Sequence, residues 1–469
     1  MSLPGSISIE RQAASHSGAR SSSRQQRANG VLAGALVAIV ALAPILLGSN
    51  RPFFWALWAG VIGVLTLVYL LTLLVRGEAL RMPVGRLWLP ALLFAGLVGF
   101  LGFQIAPILP GTFVTAAGDA LTSATLSIAP GSTLLTLLQF ATYGLFFFLM
   151  LQVAANRSRA RKIGVALFCV VVAHALYGLI SLVLLEDSLL FFPKWAYDGF
   201  ATGGFVNRNS FATFLAFGLV LGVLLALREL KGGARAAGSN AAIVLAATAL
   251  VLATLVATGS RMGLFAGLLG AGLAALMAGG KSEGGLFRSR GVLIGLIPFV
   301  AAIVVLVLYG AGTFDRLGSL ETDANVRGDL YTQVFGMIAA RPWLGYGGGT
   351  FEVAYPLFHQ LPVSPDLVWD KAHSTYLSLW AELGLVAGSI PLLLLAWIGF
   401  DALRLYFTRR GGDWTAPAAA VAVIVVAAVH SVVDFSLEME ANVFLFLAIL
   451  AVGIARNGSR RDGSEPEAG

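Results

Sequence analysis

The chain has 469 residues, 58% of them hydrophobic and only 12% charged, with a formal net charge of +7. That charged fraction is about half the soluble-protein norm, so an ordinary soluble domain is excluded; the mean hydropathy is +0.84. A single cysteine, Cys169, excludes an intramolecular disulfide, and no Cys/His cluster has zinc spacing.

In chain order, residues 1–29 are polar and rich in Ser, Arg and Gly, which predicts a disordered cytoplasmic tail. Helix-length apolar runs then recur at about 31–48, 53–75, 88–106, 132–152, 163–185, 209–227, 241–258, 261–278, 291–311, 373–403, 417–433 and 441–455. Each is long enough for a hydrocarbon core of ~30 Å. No strand-period alternation separated by turns is evident, so a helical bundle is expected rather than a β-barrel. The expectation is an all-α integral membrane protein with about twelve transmembrane helices. Residues 30–311 would hold spans 1–9, 312–372 an outer loop or cap, 373–456 spans 10–12, and 457–469 a cytoplasmic tail. Ala41-Leu42-Ala43 faintly resembles a signal-peptide cleavage site, but the first span is read as uncleaved. The tenth run is too long for one straight crossing, so it tilts, bends near Gly384 to Pro391, or projects beyond the membrane.

Charge placement orients the bundle. With the N-terminus inside, only Arg51, Lys194, Arg208, Arg261, Arg316, Arg327, Arg341 and Lys371 of the 31 Lys and Arg residues lie outside. Every inside loop carries at least three of the others, as the positive-inside rule requires. This predicts a multi-pass membrane protein with both termini cytoplasmic, and it accounts for the basic charge without nucleic acid. The segment 312–372 falls outside. It carries Trp343, Trp369, Tyr331, Tyr346, Tyr355, Phe335, Phe351 and Phe358, with a helix expected over 326–341 ahead of Pro342. Such apolar content predicts a folded periplasmic cap between spans 9 and 10. A smaller outer loop, 186–207, carries Trp195 and Tyr197.

Three outer sites share one geometry. Arg208 starts span 6, Arg261 starts span 8 and His373 opens span 10, so each lies at a helix N-terminus. The positive end of a helix dipole disfavours a cation unless an anion joins it. Backbone N–H groups, dipole and guanidinium together suit a phosphate. Arg327, in the outer loop, offers another bidentate clamp. For Arg208 a headgroup contact is an equal alternative, whereas Arg261 sits in a nearly loopless turn between apolar spans, where function is favoured. Arg51, Arg316, Arg341 and Lys371 read as headgroup contacts or surface ion pairs. His373 is a candidate general base, with a capping or surface role as the plainer alternative. Tyr376 and Trp380, at i+3 and i+7 from it, would share a helix face suited to stacking on a sugar. Glu382 lies on the opposite face and suits a structural ion pair. His430 and Asp434, spaced i, i+4, suit either orientation of the histidine or hydrogen bonds to neighbouring helices. Glu438 and Glu440 form a carboxylate pair without supporting ligands, so no metal is expected. No Gly-x-x-x-x-Gly-Lys-Ser/Thr loop is present, so there is no sign of ATP use.

Taken together, Ser260-Arg261, Arg327, Arg341-Pro342-Trp343-Leu344-Gly345-Tyr346-Gly347-Gly348-Gly349-Thr350-Phe351, Ala372-His373-Ser374-Thr375-Tyr376-Leu377 and Ala381-Glu382-Leu383-Gly384-Leu385 form a pattern. It resembles the O-antigen ligase and O-antigen polymerase superfamily over residues 200–440. The resemblance implies a GT-C-like glycosyltransferase. Such an enzyme moves a glycan from undecaprenyl diphosphate to an acceptor hydroxyl in the periplasm without metal, nucleotide or other cofactor. It further implies that Arg261 and Arg327 hold the leaving diphosphate and that His373 activates the acceptor. Ser374 stands where many relatives have Asn. The acceptor would be a lipid A-core in a ligase, another lipid-linked repeat in a polymerase, or a protein Ser/Thr. The rival from another class is a flippase for lipid-linked oligosaccharide. Flippases tend to place charges near the bilayer midplane on broken helices in repeated halves.

Overall fold

A computed structural model describes residues 26–190, 192–231, 235–281, 320–409 and 414–456. The expected ninth span, Arg316 and most of both tails lie outside the described residues.

The apolar runs form helices: α1 (Gln26–Leu42), α2 (Pro52–Arg76), α3 (Trp88–Ile105), α4 (Pro130–Ala154), α5 (Arg157–Leu184), α6 (Arg208–Lys231), α7 (Arg235–Ala257) and α8 (Arg261–Gly280). After the undescribed segment come α9 (Leu320–Ala340), α10 (Thr375–Thr408), α11 (Thr415–His430) and α12 (Glu440–Ile454). Among the described residues, α2 to α8 and α10 are long and apolar enough to cross a membrane; α1, α11 and α12 are shorter apolar helices. This is consistent with an all-α integral membrane protein. Local signals set the ends. Prolines begin α2 and α4, Asn156 Oδ1 caps α5 by accepting from Arg159 N at 3.0 Å, and a left-handed Gly77 closes α2.

The main core centres on α6, which packs against α5, α7, α8 and α11. On α8 the buried face is Gly263, Ala266, Gly267, Gly270, Ala271 and Ala274, small residues that let helix backbones approach closely.

A second apolar core lies at the end of the bundle where α6, α8 and α10 begin. It gathers Leu330, Val334 and Met337 of α9 with Tyr346, Phe351 and Tyr355, and with Leu377 and Ala381 of α10. α9 starts at Leu320, six residues before the expected helix. Phe113 completes this core from a two-stranded antiparallel hairpin, β1 (Gly111–Val114) and β2 (Ala120–Ser123), pairing Thr112 with Thr122 and Phe113 with Leu121. The expectation of a helical bundle rather than a β-barrel stands, but the sequence reading does not place this short hairpin. The strands are four residues each and sit between α3 and α4, too short to register against the surrounding helical runs.

The bend expected in α10 occurs at Gly384, with φ 75° and ψ 168°. The break exposes main-chain groups, and the turn Arg341–Gly349 takes them up. Tyr346 N donates to Ala381 O at 3.0 Å, Gly347 N to Glu382 O at 2.9 Å, and Leu385 N to Pro342 O at 2.7 Å. Backbone meets backbone here: a Cβ on Gly384 would lie 2.5 Å from the Trp343 carbonyl carbon, and one on Gly345 would lie 2.3 Å from Glu382 O.

Candidate active site

His373 does not belong to α10. It precedes the helix with φ 52°, in the left-handed region where a residue with a Cβ costs roughly 1–2 kcal/mol. The segment is held on every side. Lys371 Nζ pairs with Glu438 Oε2 at 2.9 Å, and Tyr331 OH donates to His373 O at 2.9 Å. Thr375 N donates to Ser431 O at 3.1 Å, and Thr375 Oγ1 donates to Asp434 O at 3.1 Å. The imidazole packs edge-on between Phe435 and Trp369, with centroids 5.2 and 6.1 Å away. Burial pushes its pKa below the ordinary value, and the Arg327 guanidinium pushes the same way. Asp434, Asp370 and Glu438 oppose them without reversing the sign. The ring is therefore neutral near pH 7 and can accept a proton. Burial also works against the Lys371 ammonium, but the Glu438 carboxylate outweighs it and raises the lysine above its usual range.

Arg327 lies half-buried on α9, one turn before Tyr331, which places it beside His373. Its charge also acts on Tyr331 and Tyr197. Arg208, the first residue of α6, lies over Phe200 at 4.2 Å and Tyr197 at 5.5 Å. Tyr197 thus sits between the two arginines: burial and Asp434 raise its pKa, while Arg208 and Arg327 lower it. The Arg208 Nε is buried without a hydrogen-bond partner among the described residues. Its Nη1 approaches Gly259 to 3.3 Å of a Cβ position, against the turn that leads to Arg261. Ser260 Oγ caps α8 by accepting from Gly263 N at 3.3 Å, and the Arg261 side chain is exposed at that turn. α6, α8 and α10 have no acidic residue in their own first turns.

One buried carboxylate faces the cations. Asp434 is 1% exposed, accepts from the Ser436 hydroxyl, and has Asn209 Nδ2 at 3.4 Å. His430 Nδ1 stands 3.8 Å from Asp434 but 2.8 Å from Thr213 Oγ1, so the hydroxyl of α6 is its closer partner.

The remaining candidates point elsewhere. Tyr376 OH donates to Ala428 O at 2.9 Å and Trp380 Nε1 to Ser389 Oγ at 3.1 Å. Because His373 is outside the helix, i+3 and i+7 spacing does not bring these rings to its face. Among the described residues Glu382 makes no ion pair at hydrogen-bond distance. Its carboxylate accepts from Gly349 N at 2.7 Å and Phe351 N at 3.2 Å, fixing the glycine turn. Arg341 stacks 4.2 Å over Phe113 and donates to Thr112 O at 2.8 Å, joining hairpin to α9. Tyr376, Lys371 and Glu382 line a cavity of about 1350 Å³ bounded by α2, α3, α4, α10, α11 and α12. Its walls follow α4 from Ser132 to Gln152, about 30 Å at the helical rise, and are largely apolar.

Tyr331, Asn209, Trp369 and Phe435 complete the cluster and were not singled out from the sequence. Only Tyr331 left a signal there, one turn beyond Arg327. Among the described residues no group of three His, Cys, Asp or Glu is placed to hold a metal ion.

A search of curated proteins finds no match. Residues 246–392 match the family model described as O-antigen ligase. That stretch contains Arg261, Arg327, His373 and the glycine turn, while Arg208, His430 and Asp434 fall outside it. The match supports the chain's membership of the O-antigen ligase superfamily.

Proposed function

We propose that this protein is a glycosyltransferase of the bacterial inner membrane, transferring glycan on its periplasmic face from undecaprenyl diphosphate to an acceptor hydroxyl. The observation that carries the reading is the convergence of Arg208, Arg327 and a neutral His373 where α6, α8 and α10 begin. His373 takes the acceptor's hydroxyl proton as that oxygen bonds to the anomeric carbon of the donor. The bond from that carbon to the diphosphate oxygen breaks, and undecaprenyl diphosphate leaves as the anion. Arg208, Arg261 and Arg327, with the helix N-termini, hold the departing charge, the term that dominates such reactions. Neither metal nor nucleotide enters the reading. The twelve-span plan, cytoplasmic termini and a periplasmic cap over 312–372 belong to the same proposal. The long apolar cavity beside Lys371 and Tyr376 supports a lipid-borne substrate.

The test is the length distribution of undecaprenyl-linked glycans in a strain lacking the protein. Long lipid-linked chains that never reach a lipid A-core or other acceptor establish the ligase. Accumulated single repeats establish the polymerase variant instead. A pool trapped on the cytoplasmic side makes the protein a flippase and overturns the transfer chemistry.

A further inference from the structure

The break in α10 divides that helix into two parts with different surroundings. Before the break, Leu377 and Ala381 are buried in the second core. Beyond it, Val386, Leu393, Phe400 and Phe407 are exposed. They recur at every seventh position, which keeps them on one face of a helix apolar enough to cross a membrane. At the helical rise the stripe from Val386 to Phe407 measures about 32 Å, against ~30 Å for a hydrocarbon core. It begins just past Gly384 and ends just before Arg409. One hydrocarbon thickness of α10 therefore lies between the break and the C-terminal end of the helix.

The turn Arg341–Gly349 sits against the Gly384 end of this stripe. Leu385, itself exposed, donates its N–H to Pro342 O. The next two residues, Trp343 and Leu344, are exposed as well, Trp343 at 66%. The main chain of the turn is meanwhile closed off by protein. Gln104, beside the end of α3, donates to Leu344 O at 2.8 Å and accepts from Gly348 N at 3.2 Å. Ile128 N donates to Tyr346 O at 2.9 Å, and Thr350 Oγ1 donates to Gly347 O at 2.6 Å. Irregular backbone can meet the edge of a bilayer only when its polar groups find partners in the protein, since acyl chains offer none. A turn facing water is under no such constraint. An indole, with an apolar body and a polar N–H, suits the boundary between headgroups and acyl chains.

We infer that Trp343 and Leu344 dock on the lipid surface at the His373 end of the bundle, in the boundary between headgroups and acyl chains. The hydrocarbon then ends at the break in α10, and the first turns of α10 stand outside it with the second core and His373. The glycine turn gains a second role: it closes the break and fixes the height of the candidate site over the bilayer. The inference rests neither on the transfer reaction nor on which side of the membrane this end faces.

Full-length protein in nanodiscs of phosphatidylcholine and phosphatidylglycerol provides the test. In a Cys169→Ser background, single nitroxide labels are attached at Trp343→Cys, Leu393→Cys and Val368→Cys. Power saturation compares collisions with oxygen, which concentrates among acyl chains, and with a neutral nickel chelate, which stays in water. Leu393, within the stripe, sets the acyl value, and Val368, exposed in the loop before His373, sets the aqueous value. The oxygen-to-nickel ratio at position 343 is expected severalfold above that at 368 and below that at 393. A ratio equal to that at 368 puts the turn in water, and one equal to that at 393 puts it among the acyl chains; either overturns the inference. Poor access to both reagents at 343 puts the residue against protein and overturns it as well. If Trp343→Cys does not give folded protein, Val386→Cys reports the same boundary. A ratio there between the two references supports the inference, and a match to either reference overturns it.

Discussion

At the scale of single residues, the protonation of His373 governs the proposed reaction. A neutral imidazole is the working form, and burial followed by Arg327 holds its pKa below the ordinary value. Activity is therefore expected to persist to pH values below the usual imidazole range and to fall only as the ring becomes charged. Arg327→Gln removes one of the two lowering influences, so the acid limb of the pH–rate profile should move upward toward the ordinary value. Arg327→Lys keeps the charge but loses the paired donors, so it should reduce transfer with the limb nearly in place. An unmoved limb in both variants would separate Arg327 from His373. His373→Ala should lower glycan transfer by roughly a hundredfold or more, the usual scale for a general base, at unchanged membrane levels of protein. Retained transfer would remove His373 from the chemistry.

At the scale of elements, the decisive feature is how α10 begins and breaks. Its entry is pinned by the Lys371–Glu438 pair and its break by the Arg341–Gly349 turn. Gly384→Ala would set a methyl 2.5 Å from the Trp343 carbonyl carbon at a positive φ, and backbone is the least yielding of neighbours. A loss of about 1–3 kcal/mol is expected, read as a lowered unfolding midpoint in detergent. Gly336→Ala in α9 is the counterpart: nothing lies within 4 Å of its Cβ position, so the substitution should stabilise by up to ~1 kcal/mol. Equal effects in the two variants would mean that the turn does not lock the break. The break was legible in the sequence because Gly384 and Pro391 interrupt an overlong apolar run. The hairpin around Phe113 and the left-handed step at His373 were not. Both depend on partners distant in sequence, Tyr346 for the hairpin and Tyr331 and Glu438 for the histidine, which local periodicity does not encode. For the same reason the sequence placed Tyr376 and Trp380 beside His373: helical spacing was counted from a residue that the fold leaves outside the helix.

At the scale of the whole molecule, Arg208, Arg261 and His373 share one end of the bundle, while Arg157, Arg228, Arg409 and Arg456 share the other. The apolar runs made this segregation legible, since each run fixes which flanking charges lie at which end, even though loop contacts stayed hidden. Periplasmic chemistry requires the first end to face outward, and the native cysteine makes this measurable. Cys169 is exposed midway along α5, so Cys169→Ser gives a background without thiols at little packing cost. Two reporters then probe the ends: Val368→Cys, at a position 81% exposed near His373, and Arg76→Cys at the exposed end of α2. In intact spheroplasts a membrane-impermeant maleimide should label Val368→Cys at once and Arg76→Cys only after permeabilisation. The positive-inside distribution demands this sign, because the arginine-rich end is retained in the cytoplasm. Reversed labelling would put His373 inside, where a periplasmic acceptor never reaches it, and the proposed transfer would fail whatever the site's geometry.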